Sequence, residues 1–307
     1  MNSRLSSEQV KAEAHALGFS ACGVAKAGPV DGRHSAAFTR WIADGAHAGM
    51  EYMARNVDKR LDPQQLMPGV KSIVSVALNY TPGKRACEGG LKFAAYALGQ
   101  DYHDIMKQRL HSLASRLGLT AYRAFCDTAP VLERYWAMQA GLGWIGRNHQ
   151  LIIPHAGTMF FLGELFVDAE ADRYDTPVPG RCGTCHACLD ACPTGALGRG
   201  ATFNSSRCLS YLTIENRGDI PQCFACKMGD TVYGCDRCQD ACPWNRFATP
   251  TDDPQLQPRP ELLNMTRADW LRLTVDQYRK LFKGSAVKRA KYEGLMRNIK
   301  CALRVKN

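Results

Sequence analysis

Residues 182–194, CGTCHACLDACPT, space Cys182, Cys185, Cys188 and Cys192 as C-x2-C-x2-C-x3-C-P. This run holds cubane iron–sulfur clusters, and in two-cluster ferredoxins its fourth cysteine ligates the other cluster. A partner run follows at 233–245, YGCDRCQDACPWN, but it supplies only Cys235, Cys238 and Cys242. By the crossover rule Cys242 completes the set of Cys182, Cys185 and Cys188, while Cys192 joins Cys235 and Cys238. The second set still lacks a ligand. Cys208 in RCLSYLTIE and the pair Cys223 and Cys226 in PQCFACKMG lie between the runs, and spacing alone does not choose among them.

Zinc sites also use C-x2-C pairs, but not seven or eight cysteines at these offsets with a proline after both fourth positions. Structural disulfides would suit an exported chain. The N-terminus, MNSRLSSEQVKAEAHALGF, has no apolar signal region and no twin arginine, and no run approaches the ~18 apolar residues of a membrane span. A cytoplasmic protein with reduced or metal-bound thiols is expected.

A double-cluster module needs only residues 176–250, so residues 1–175 are long enough to form a domain with its own core. Two one-electron carriers suit a feed to a second redox centre in that domain. Ser6 with Gln9 reads as a capping box for a helix ending at Gly18, and SACGVAKA as a strand. HSAAFTRWIADG and DYHDIMKQRLHSLASRLG read as helices; SIVSVALNY, AYRAFCD, LIIP and TMFFLGELFVD read as strands. The pattern predicts an α+β or α/β layered domain without internal repeats.

Gly141, Gly143 and Gly146 satisfy G-x-G-x-x-G, yet they follow a helix rather than a strand, so they shape a loop instead of binding a dinucleotide. No C-x3-C-x2-C triplet supports radical S-adenosylmethionine chemistry. Asp127 lies between the strand YRAFC and a helix expected to begin near Thr128–Pro130. Residue type and position favour an N-cap there. A proton donor is the competing role, and it needs the opposite pKa shift.

CDTAPVLERYWAMQAGLGWIGRN, GQDYHDI, the first cysteine run, RCLSYLTIE and YGCDRCQDACPWN occur in this order across nearly the whole chain. Together they resemble the epoxyqueuosine reductases, cobalamin-dependent iron–sulfur enzymes of tRNA queuosine synthesis. The resemblance implies a nitroreductase-like cobalamin-binding domain followed by a ferredoxin-like double 4Fe–4S domain. It makes Asp127 the proton donor, reversing the preference for a cap, and Cys208 the missing ligand. Cobalamin contacts would fall on Arg60, Leu151, Leu162, Ser210 and Asp127, with Tyr102 near the cobalt. Electrons passed singly from the clusters to cobalamin would remove the epoxide oxygen as water, giving queuosine. The implied partners are tRNA bearing epoxyqueuosine and an external low-potential electron donor, with the chain acting as a monomer.

Some features depart from that pattern. Ala95-Tyr96-Ala97-Leu98-Gly99 replaces an Arg-led Tyr-Ala-Trp-Gly element, Cys223 and Cys226 are unusual, and a short form without the helical-repeat domain of longer members is expected. Cys22, Cys87, Cys126 and Cys301 read as ordinary thiols. A reductive dehalogenase would share cofactors but usually carries an export signal. An electron-carrier subunit would explain the clusters and leave the order of large-domain motifs unexplained.

Residues 251–307 form a separate basic segment in this reading. Within them, 278–307 hold ten Lys or Arg against one Glu, +9 of the chain's net +10. Leu295, Ile299 and Leu303 recur at helical spacing and predict packing on the body. One-sided charge is what a phosphate backbone selects, so Lys288, Arg289, Lys291 and Arg297 are expected to contact tRNA.

Overall fold

The computed structural model describes residues 4–83, 90–200 and 202–304; Cys87 lies outside them. Its centre is a four-stranded antiparallel sheet of β1 (Ala21–Lys26), β2 (Ser72–Asn79), β4 (Tyr122–Phe125) and β7 (Phe160–Val167), in the order β1-β2-β7-β4. The two middle strands read as continuous apolar runs because both of their faces are covered. Helices Ser7–Ala16 and Tyr102–Arg116 pack on one face through Val10, Met106, Leu110 and Leu113, and helix Glu133–Gln139 covers the other through Trp136 and Ala137. The α+β expectation holds.

Two local expectations changed, and the expected glycine loop is present. Ser6 accepts a hydrogen bond from the Gln9 backbone, so it caps the first helix, though the structure gives no return bond from the Gln9 side chain. The helix expected from Thr128–Pro130 begins only at Glu133, with Leu132 as N-cap. Pro130 disfavours the helical region for Ala129 before it, so the chain stays irregular through 128–132 and Asp127 caps nothing. The glycine loop forms a hairpin, β5 (Trp144–Ile145) and β6 (Leu151–Ile152), in which a Cβ on Gly143 would fall 2.0 Å from the Ile152 carbonyl oxygen.

Within residues 251–304, the segment 262–303 packs on the rest of the protein. Trp270, Tyr278, Phe282, Leu295 and Ile299 form one core with Leu91, Ala97, Val232 and Tyr233. Beneath this core, β3 (Lys92–Phe93) pairs in parallel with β8 (Thr231–Tyr233), joining the large domain to the cysteine-rich segment. Among the described residues no helix is long and apolar enough to cross a membrane.

Candidate active site and cluster sites

The cysteines gather in two sets. Cys182, Cys185, Cys188 and Cys242 line one cavity of about 230 Å³, walled by Ile152 of the hairpin and by Trp244. Crowding shows in the titration: burial raises the Cys188 and Cys242 thiols, and each also feels Cys182 and Cys185. Cys192, Cys208, Cys235 and Cys238 form the other set. Burial pushes Cys238 above the ordinary thiol range, and Cys235, Cys208 and Cys192 add to the shift. Backbone N–H groups around Cys192 act oppositely, outweighing burial to lower its pKa. Among the described residues no three of these side chains sit close enough to hold a single metal ion, and soft donors spread more widely suit the larger cubane clusters. Cys223 lies on the short helix Gln222–Ala225 and Cys226 caps its C-terminus; both are exposed. Asn148 joins the sets: it lines the cavity and donates to the Cys238 carbonyl at 3.5 Å.

Asp127 follows β4 in a left-handed conformation, φ 57°, which costs a non-glycine residue on the order of 1 kcal/mol. Its backbone N–H donates to Glu133 Oε1, and Thr128 N–H turns back to the Cys126 carbonyl. The loop thereby holds the Asp127 carboxylate toward the start of helix Tyr102–Arg116. There Tyr102 Oη donates to Asp127 Oδ2 at 2.5 Å, and His103 Nε2 lies 3.3 Å from the same oxygen. Desolvation would raise the Asp127 pKa, but the hydrogen bonds from His103 and Tyr102 outweigh it and lower it. Tyr102 moves strongly upward through burial and the Asp127 charge, so it stays protonated. Desolvation and then Asp127 push Glu133 up to about 8.

The remaining expected contacts are spread around this centre. Arg60 is buried at 7 % exposure; its Nη2 donates to the Tyr52 carbonyl at 3.1 Å, its Nε has no partner, and no described carboxylate forms an ion pair with it. An unpaired buried guanidinium is costly unless an acceptor arrives, which fits a ligand rich in amide and phosphate oxygens such as cobalamin. Leu151 and Leu162 are buried in one apolar cluster with Leu61. Ser210 sits on helix Leu209–Ile214, and the adjacent Tyr211 Oη accepts from the Gly49 N–H at 2.9 Å.

Of the basic residues, Lys288 and Lys291 are exposed, and no ion pair reaches them among the described residues. Arg289 makes a two-pronged pair with Glu215, at 2.8 and 2.9 Å, and lies over the Tyr52 ring. Arg297 departs from the expectation: its guanidinium is spent on the Asn216, Gly218 and Leu212 carbonyls. Basic composition alone could not separate it from its solvent-facing neighbours.

Residues 60–128 match the family model "Epoxyqueuosine reductase QueG, DUF1730", and residues 181–245 match "4Fe-4S double cluster binding domain". The epoxyqueuosine reductase of Cellulophaga algicola is 44 % identical over 297 residues, 95 % of this chain and 96 % of that protein. The chain belongs to the epoxyqueuosine reductase family. The Pseudomonas aeruginosa member is 40 % identical, over 96 % of this chain and 84 % of its own. A crystal structure of epoxyqueuosine reductase with an epoxyqueuosine-modified tRNA-Tyr stem loop superposes with TM-score 0.89 at 29 % identity, covering 96 % of this chain and 80 % of that one. The Bacillus subtilis enzyme, crystallised with its catalytic aspartate loop swung out of the active site, superposes with TM-score 0.86 at 27 % identity, over 96 % and 80 %.

Proposed function

We infer that this chain reduces epoxyqueuosine in tRNA to queuosine, and that Asp127 protonates the departing epoxide oxygen. The observation that carries the reading is one carboxylate, Asp127, held by Tyr102 and His103 in a chain that also gathers two sets of four cysteines. Cys182, Cys185, Cys188 and Cys242 are proposed to hold one 4Fe–4S cluster, and Cys192, Cys208, Cys235 and Cys238 the other. Arg60, Leu151, Leu162, Ser210 and Tyr102 are proposed to line the cobalamin site. When bound, cobalamin supplies a low-potential cobalt centre for the reductive step, fed by the clusters.

The protein's residues do the rest. Tyr102 and His103 orient the Asp127 carboxyl, which supplies a proton so that oxygen leaves as water rather than as an alkoxide. Lys288 and Lys291, with Arg289 braced by Glu215, are proposed to hold the tRNA backbone without reading its sequence. An external low-potential donor and a cytoplasmic monomer complete the reading. The test is anaerobic: reconstituted protein with a reductant and tRNA carrying epoxyqueuosine, followed by nucleoside mass spectrometry. Queuosine, lighter by one oxygen, is expected; unchanged epoxyqueuosine with both clusters and cobalamin in place would overturn it.

A further inference from the structure

His103 stands between two carboxylates. Its Nδ1 lies 2.7 Å from Asp101 Oδ1 and its Nε2 lies 3.3 Å from Asp127 Oδ2. A neutral imidazole has one N–H, so one ring nitrogen would turn its lone pair on a carboxylate; only the imidazolium donates to both. The helix N-terminus beneath His103 disfavours a cation, and Lys107 on the same helix adds to the local positive charge. The Tyr102 ring, 4.0 Å away by centroids, keeps its own proton. From the loop after β4, Asp127 faces the ring, with Glu133 and Arg134 behind it. Burial lowers the His103 pKa, but Asp101 and Asp127 outweigh it and raise it to about 9.

We propose that His103 is the positioning residue that stores the proton Asp127 delivers, and that Asp101 fixes its ring for the transfer. The inference rests on Asp127 as donor, and it accounts for a donor whose own hydrogen bonds keep it ionised. Converting the epoxide to an alkene breaks two C–O bonds, forms one C=C bond and consumes two electrons and two protons, with oxygen leaving as water. The two electrons would be supplied by the reduced clusters and the cobalamin when these are bound. The His103 Nε2–H proton moves to the ionised Asp127 carboxylate, and Asp127 passes a proton to the oxygen. The ring becomes neutral, with Nδ1–H still donated to Asp101. Solvent, which reaches 25 % of the His103 side chain, reprotonates Nε2, and the second proton takes the same path.

The test is single-turnover kinetics of pre-reduced holoenzyme with modified tRNA from pH 6 to 9.5. Wild type should stay near-flat until the His103 proton is lost near 9. His103→Gln should fall about tenfold per pH unit across the neutral range, following Asp127 alone, with tRNA affinity unchanged. A loss by the same factor at every pH would make His103 merely structural and overturn the proposal. If His103→Gln fails to retain cobalamin or iron, Asp101→Asn carries the test, since Asn still caps the helix. Its alkaline break should move down by about one unit, and an unmoved break overturns the proposal. Full turnover by Asp127→Asn would instead sink the donor assignment itself.

Discussion

Tyr102 and Phe161 lie ring on ring, centroids 4.2 Å apart and planes within 4°. The stack fixes the hydroxyl that reaches Asp127, because Phe161 belongs to β7 at the middle of the sheet. The aspartate loop thus docks against a rigid post rather than against another loop.

Asp127→Asn keeps the size and tolerates positive φ, but it cannot donate a carboxylic proton. Turnover is expected to fall by about two orders of magnitude or more, with cobalamin and tRNA binding retained. Nucleoside mass spectrometry beside visible absorption of the bound cofactor checks both halves.

Cys208→Ala should reduce iron from about eight to about four per chain. Cys223→Ala and Cys226→Ala should leave the count unchanged, and iron loss in Cys226→Ala would overturn the ligand assignment.

Arg60→Met removes a buried, unpaired charge. Apoprotein should therefore melt no lower than wild type, while cobalamin affinity drops by about tenfold or more. Titration of cobalamin into apoprotein, followed by quenching of tryptophan fluorescence, measures it; equal affinity would remove Arg60 from the cofactor site.

Replacing Lys288 and Lys291 together by Gln should flatten the slope of log affinity against log salt by between about one and two units. Arg297→Ala should leave that slope alone and cost on the order of 2 kcal/mol of stability, since three backbone carbonyls lose their donor.

Seven of the expected cluster cysteines could be sorted because short covalent spacing and the crossover rule act locally, whereas Cys208 rested on the resemblance alone; the strands were legible because burial writes itself into apolar runs. Local chemistry alone reads Asp127 as a cap, and only the resemblance pointed to a proton donor, because the restriction from Pro130 competes with ordinary helix-start chemistry and the fold decides which wins. Arg297 was grouped with Lys288 because composition carries no direction. His103 lies within GQDYHDI, where an Asp two residues before a His at a helix start was the available signal. The small parallel pair Lys92–Phe93 with Thr231–Tyr233 left no trace, since two- and three-residue strands carry no period.

The buried side chain of Asn298 donates to the carbonyls of Thr213 and Val232, tying helix Leu209–Ile214 and β8 to the last helix, Lys291–Ala302. A ribosome makes Cys242 more than fifty residues before it makes Asn298. During that interval the second set of cysteines exists without the clasp that holds its scaffold in register. A cluster inserted before the last helix is made would enter a site whose scaffold is not yet held in register.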